Sequence, residues 1–352
     1  MSSPLYAVAT ASFEAACRLE SLPAHHPARA LHGHSYLAQL RCRYPDHSDP
    51  EALRQQLQQA VTPLDYCDLN RVIAEPSDEN IARWLHTQLK PLQPQQIGIQ
   101  SVATQGVDLD SQESAHIWHR FRFEAAHQLP NVPPGHPCGR MHGHGFEVIL
   151  HLQQPLHGAI MGYDYRQLQQ LWQPLHQQLH QRCLNDIAGL ENPTSEQLCR
   201  WIWRQLKPKL PLLSWVTSYE THSSGCHYNG EQYHIWKELR FESALKRAVA
   251  GQPRLYGHSY RIRLHLTAPL DAVLGWTVDY GEVKQLFQPI YQQLDHQLLN
   301  QQLAEPSLPN LLYHIEAALV PRLPQLSRID LLQTPEIGAV LQRETGEPVV
   351  PV

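Results

Sequence analysis

Three histidines in the middle of the chain, His127, His142 and His144, have the residue type and spacing of a metal site. His142 and His144 are two apart in an alternating stretch, so a strand sends both side chains off one face. His127 ends an earlier alternating stretch that can pair alongside. Three imidazoles converging from adjacent strands suit tetrahedral zinc. With three protein ligands the fourth position stays open for water or substrate. An isolated His-x-His is weak evidence, since two polar residues on a strand are its ordinary reading. The third histidine and a cysteine nearby shift the balance. Cys138 lies four residues before His142 in a glycine-bounded loop, within reach of the open position. A thiolate is a competent base, and zinc or an imidazolium beside it lowers its pKa. The alternative is a buried, inert thiol. Cys183, Cys199 and Cys226 lack such a setting and read as packing residues.

The elements that must hold these groups follow from periodicity. Residues 121–127 alternate, with Phe121, Phe123, Ala125 and His127 on one side. Residues 142–150 alternate again, and a Pro/Gly-rich loop, 130–139, joins the two strands. Residues 165–181 carry leucines and Trp172 at helical spacing, with Pro174 interrupting. Asn192-Pro-Thr-Ser-Glu opens a second helix, with Thr194 or Ser195 as its N-cap. Residues 212–220 read as a third strand, and the run from Cys226 as a strand ending in a turn. This unit is α+β, a four-stranded antiparallel sheet with two helices on one face.

The unit recurs. Phe13-Glu-Ala-Ala-Cys, Phe123-Glu-Ala-Ala-His and Phe241-Glu-Ser-Ala-Leu open three copies. Leu31-His-Gly-His-Ser-Tyr, Met141-His-Gly-His-Gly-Phe and Leu255-Tyr-Gly-His-Ser-Tyr follow in each. Leu64-Asp-Tyr-Cys, Leu179-His-Gln-Arg and Leu294-Asp-His-Gln come next, always in the same order. A constant order at a period of about 115 residues means a whole small domain repeated, with expected boundaries 1–112, 113–233 and 234–352. The first copy has Cys17, His32 and His34 at the metal positions. These types can still bind a metal, though a relic is the favoured reading. The third copy has Leu245, Tyr256 and His258, which cannot make a site.

Composition bounds the class. The chain has 352 residues, 42% apolar and 17% charged, with a formal net charge of −5. That describes globular domains without a nucleic-acid footprint. Seven scattered cysteines with no Cys-x-x-Cys pair argue against a disulfide framework and for a reducing compartment. Neither a signal peptide nor a membrane span is expected, so a cytoplasmic protein is.

The middle copy resembles the 6-carboxytetrahydropterin synthases of queuosine biosynthesis, relatives of the 6-pyruvoyltetrahydropterin synthases. The matching runs are Phe123-Glu-Ala-Ala-His, Gly135-His-Pro-Cys-Gly-Arg-Met-His-Gly-His, Leu184 through Glu196, and Glu220-Thr. The outer copies resemble the same family weakly. The resemblance implies the tunnelling fold, in which three units close into a barrel with active sites between neighbours. In this chain the three tandem copies would form an intrachain pseudo-trimer, and two chains can stack as a homodimer. It implies zinc on His127, His142 and His144, with Cys138 as proton acceptor. Glu220 would anchor the pterin through its amino-pyrimidinone edge, with Thr194 and Ser195 lining the pocket. The short Cys-x3-His-Gly-His spacing favours the carboxy-forming branch. The implied reaction converts 7,8-dihydroneopterin triphosphate to 6-carboxytetrahydropterin with loss of acetaldehyde and triphosphate. A pyruvoyl-type or aldolase-type reaction, or a non-catalytic pterin- or zinc-binding protein, remain the alternatives. The family also uses an Asp-His pair. The middle copy has His180 and Gln181 there, the first has Asp65 and Tyr66, and only the third keeps both, as Asp295 and His296. One complete site is therefore expected, shared between the second and third copies. At the glutamate position the third copy has Gln333, and alignment through Thr104 gives Ala103 in the first.

Overall fold

A computed structural model describes residues 3–44, 50–156, 162–249 and 251–343. The first unit contributes β1 (Leu5–Cys17), β2 (His32–Arg43), α1 (Pro50–Val61), β3 (Cys67–Asp68), α2 (Asp78–Gln88), β4 (Pro94–Val102) and β5 (Gln105–Asp110). The second repeats the pattern with β6 (Ser114–His127), β7 (His142–Pro155), α3 (Tyr165–Leu179), β8 (Arg182–Cys183), α4 (Ser195–Leu206), β9 (Leu213–Thr221) and β10 (Ser224–Tyr228). The third has β11 (Tyr233–Val249), β12 (Gln252–Thr267), α5 (Tyr280–Leu294), β13 (Gln297–Leu298), α6 (Leu308–Leu319), β14 (Leu326–Thr334) and β15 (Ile337–Gln342).

Twelve of these strands form one closed antiparallel ring, so the three units make a pseudo-trimeric barrel within one chain. The seams between units are β5–β6, with Leu109 opposite Ala115, β10–β11, with Cys226 opposite Ile235, and β15–β1, with Ala339 opposite Ala7. Closure pairs edges that would otherwise expose unbonded backbone groups. β3, β8 and β13 are two-residue parallel additions to β1, β6 and β11.

Alternation sorts the two faces. Phe13, Phe123 and Phe241 point outward under the helices, each stacked on an aromatic partner at the same level: Tyr36, Phe146 and Tyr260. The inner face is polar and cross-bonded. His151 and His227 share Thr217 at 2.9 and 2.6 Å, and His265 meets Asp330 at 3.0 Å. Three indoles also lie inside, those of Trp118, Trp215 and Trp236, and two of them need a glycine beside them. A Cβ on Gly106 would come within 2.6 Å of Trp118, and one on Gly225 within 2.4 Å of Trp236.

The long helix expected to break at Pro174 does not. α3 runs through the proline, as α5 runs through Pro289. The carbonyl that Pro174 leaves unbonded belongs to Gln170, at an exposed position that water can reach. Thr194 is the N-cap of α4 and accepts from Gln197 N at 3.2 Å, which leaves Ser195 as the first helical residue.

Candidate functional site

Register brings the three histidines together. His127 is directly opposite His142 across the β6–β7 pair, and His144 follows two residues on. All three project from the outer face. Their ligand nitrogens lie within 4.8 Å of one another. His127 Nδ1 lies 3.2 Å from Pro193 O, and His142 Nδ1 lies 2.7 Å from Arg140 O. Carbonyl partners fix the proton on Nδ1 and leave each Nε2 lone pair free, the usual arrangement behind a metal-ligating imidazole. His127 Nε2 and His144 Nε2 stand 3.1 Å apart. Two nitrogens bound to one tetrahedral zinc at about 2.0–2.1 Å are roughly 3.3 Å apart, so the donor set fits that ion. Burial pushes His127 down to about 4, against the pull of the Glu220 carboxylate, and burial likewise lowers His144. Neutral imidazoles are the form that binds metal.

Glu220, near the end of β9, accepts a hydrogen bond from Ser195 Oγ at 2.9 Å. Its carboxylate pulls the pKa of His127 and His144 up against their burial and raises that of the Cys138 thiol. Cys138 sits in a short 3₁₀ turn, Pro137–Gly139, whose N-cap His136 accepts from Cys138 N at 3.2 Å. Burial raises the Cys138 thiol pKa, and Glu220 and Asp279 raise it further.

The third unit walls this site. His136 Nε2 meets Asp279 Oδ2 at 3.2 Å, and Thr194 Oγ1 donates to Gly275 O at 2.6 Å. Glu196 reaches across to Thr277, accepting from its N at 2.7 Å and its Oγ1 at 3.1 Å. Burial pushes Glu196 up to about 7. Tyr280 lies in the field of both Glu196 and Glu220. His136, Glu196, Thr277, Asp279 and Tyr280 were not singled out from sequence. A signal was present: Asp164-Tyr165 and Asp279-Tyr280 stand at the same place before α3 and α5.

The Asp-His pair is organised but separate. Asp295 Oδ2 holds His296 Nδ1 at 2.8 Å, raising the imidazole pKa, and the His296 side chain is 78% exposed. Asp295 Oδ1 accepts from Glu242 N at 2.9 Å, and His296 N donates to Glu242 O at 2.6 Å. In the second unit His180 Nδ1 accepts from Glu124 N at 3.1 Å, so His180 takes the backbone-anchoring place of Asp295 and Gln181 takes that of His296. Among the described residues no hydrogen bond joins Asp295 or His296 to Cys138, Glu220 or the triad. Register still gives their relation. Glu147, Tyr219, Gly225 and Trp236 form one row across β7, β9, β10 and β11. Five residues up β7 is His142, and six up β11 is Glu242, so both stand above the β9–β10 tip at similar height. β13 lies on the β11 edge that faces β7. At about 4.8 Å per strand spacing, roughly 10 Å separates β13 from β7.

The same registers place the other copies. Cys17 is opposite His32, and Leu245 is opposite Tyr256. Gln333 takes the Glu220 position in the third unit and lies 2.9 Å from His258 Nε2. That unit also lacks the cysteine loop, since only two residues of sequence separate the end of β11 from the start of β12. In the first unit the glutamate position belongs to Ser101, not Ala103. Leu37 pairs with Gln100 as Glu147 pairs with Tyr219, and Val102 pairs with Gln105 as Thr221 pairs with Ser224, so Val102 and not Thr104 is the counterpart of Thr221. Ser101 Oγ donates to Asp78 Oδ2 at 2.8 Å. The carboxylate and hydroxyl have thus exchanged sides, because Asp78 opens α2 where Ser195 opens α4.

Comparison with known proteins agrees with this organisation. The family model described as 6-pyruvoyl tetrahydropterin synthase matches residues 7–105, 116–231 and 234–344. A Synechocystis protein named 6-carboxy-5,6,7,8-tetrahydropterin synthase is 36% identical over 121 residues, 32% of this chain and 91% of the relative. The 6-pyruvoyl tetrahydropterin synthase of Caenorhabditis elegans is 21% identical with a TM-score of 0.31, covering 34% of this chain and 96% of that one. The uricase of Arthrobacter globiformis is 11% identical with a TM-score of 0.35, covering 66% of this chain and 96% of that one. The family model matches three times and spans most of the chain, so the chain belongs to the 6-pyruvoyl tetrahydropterin synthase family.

Proposed function

We propose that this protein is a zinc-dependent carbon–carbon lyase of queuosine biosynthesis. It would convert 7,8-dihydroneopterin triphosphate to 6-carboxy-5,6,7,8-tetrahydropterin, acetaldehyde and triphosphate. The observation that carries the reading is the convergence of the triad, Glu220 and the Cys138 loop at the seam between the second and third units. His127, His142 and His144 would hold zinc, which when bound stabilises negative charge on a substrate side-chain oxygen. Glu220 accepts the paired N–H groups of the pterin edge, with Ser195 fixing its orientation and Thr194 tying the pocket rim to the third unit. Cys138, as thiolate, takes a proton from the substrate side chain. Asp295 orients His296, which would pass protons to the site from the third unit, across the gap above β9–β10. Among the described residues, one cluster of three histidines is present, so one such site is expected per chain. The partner is the small pterin triphosphate, and two barrels can stack into a pseudo-hexamer. Seven free cysteines fit a reducing cytoplasm.

The test is incubation of zinc-loaded protein with 7,8-dihydroneopterin triphosphate, followed by mass analysis. The expected products are 6-carboxytetrahydropterin and acetaldehyde. A pyruvoyl product, an aldolase product or no turnover would each overturn the assignment.

A further inference from the structure

We propose that the first unit holds a second zinc ion, on Cys17, His32 and His34. Nothing in this inference depends on the lyase reading. The three side chains occupy the register positions of His127, His142 and His144, and their ligand atoms also lie within 4.8 Å of one another. Cys17 Sγ stands 3.6 Å from His32 Nε2. A sulfur at about 2.3 Å and a nitrogen at about 2.0–2.1 Å on one tetrahedral zinc are themselves roughly 3.6 Å apart. His32 Nδ1 is 2.8 Å from Ala30 O, which repeats the contact of His142 with Arg140 and leaves Nε2 turned to the thiol. The rings of His32 and His34 meet edge to face with centroids 5.1 Å apart. Cys17 is 3% exposed, so the sulfur is shielded by protein while the two imidazoles are half-buried.

The ligand chemistry differs from that of the second unit. Zinc would displace the Cys17 proton to solvent, so the donors are one thiolate and two neutral imidazoles. The bound ion then carries one positive charge fewer than on three histidines, and a thiolate favours thiophilic ions such as Zn2+. The Cys138 position here is Ala28, whose N donates to His26 Nδ1 at 3.2 Å as Cys138 N does to His136. An ion at this site therefore has no thiol base beside it. Its role is to bind, and to pin the free end of the β1–β2 hairpin.

The test uses full-length protein stripped of metal and reloaded with Co2+. It is done in a Cys138→Ala background, so that Cys17 is the one thiol placed against a cluster of histidines. The expected result is two Co2+ per chain and a thiolate-to-cobalt charge-transfer absorption. That absorption and one equivalent should disappear with Cys17→Ser, and both should survive His142→Ala. Because Cys17 is buried, His32→Ala at the half-buried hairpin end is the second variant, and it should lose the same equivalent while circular dichroism is unchanged. One Co2+ per chain without the thiolate absorption would overturn the proposal and leave Cys17 and His32 as an ordinary thiol–imidazole contact.

Discussion

His136 Nε2 lies 3.2 Å from Asp279 Oδ2 across the seam between the second and third units. The imidazole's other nitrogen accepts from Cys138 N, so one ring ties the thiol loop to a neighbouring domain. Asp279 also caps α5 through Gly281 N. His136→Ala should therefore lower kcat about 10- to 100-fold, the usual cost of losing an orienting partner, while zinc content stays constant. Steady-state kinetics with metal analysis reads both. Unchanged kcat would mean that the tether does not position Cys138.

Cys138→Ala removes the proposed base without touching a metal ligand. Zinc content and folding should persist while turnover falls about 10²–10⁴-fold. Normal turnover would require a different base.

His142→Ala deletes one of three donors and leaves two. The second unit should lose its zinc, and pterin turnover should become undetectable. Elemental analysis of the purified variant checks this against the ion proposed at Cys17, which should remain.

The shared site is tested by a pair of variants. His296→Ala should cut turnover strongly with zinc and fold intact, because that imidazole is exposed, held by Asp295, and adjoins β13, about two strand spacings from β7. His180→Ala should change turnover little, because His180 serves as a backbone anchor for Glu124. The reverse pattern would place the proton relay within the second unit.

The contribution of Glu196 to stability should fall as pH rises from about 4.5 to 7, against the opposite contribution of His127 and His151, which burial lowers to about 4 and about 3. Burial raises Glu196 from 4.5 to about 7, so the folded state holds a proton there that the unfolded chain releases. That contribution is fully present below the unfolded pKa and is lost as pH climbs through the folded one, on the order of 3 kcal/mol at most. Asp78, raised to about 7, and Asp108, raised to about 6, act in the same direction. Glu196→Gln keeps an acceptor for Thr277 and should remove this falling contribution, so that relative to the unaltered protein the free energy of urea unfolding gains with pH between about 5 and 8. An unaltered slope would show that Glu196 ionises freely.

The repeat order and the alternation made the three units, their strands and their helices readable before any coordinate, and the closed barrel followed from the family resemblance. His127, His142 and His144 were legible because strand period two converts spacing directly into a shared face. What escaped has a common physical origin. Ser101 was missed because the counterpart of Thr221 is Val102, so matching Thr221 to the like-lettered Thr104 runs two residues too far, and only strand pairing exposes the offset. Asp279 and Thr277 were missed because their partners, His136 and Glu196, lie about 140 and 80 residues away, and a packing contact between units has no sequence period. Pro174 misled because a proline inside a helix is tolerated where the freed carbonyl can be solvated.

The three seams are not equivalent. β5 and β6 are joined by the turn at 111–113, and β10 and β11 by the turn at 229–232, whereas β1 and β15 meet through hydrogen bonds alone. The ring therefore behaves as a bracelet with one unriveted joint. Breathing motions should begin where Ala7 faces Ala339, since separating those strands stretches no covalent link. A trimer of separate chains would have three such joints and would fall apart on dilution, while a tethered ring recloses at a rate independent of concentration. The triad, Cys138 and Asp279 straddle a riveted joint, so a chain that has sprung open at β1–β15 can keep their geometry until it shuts again.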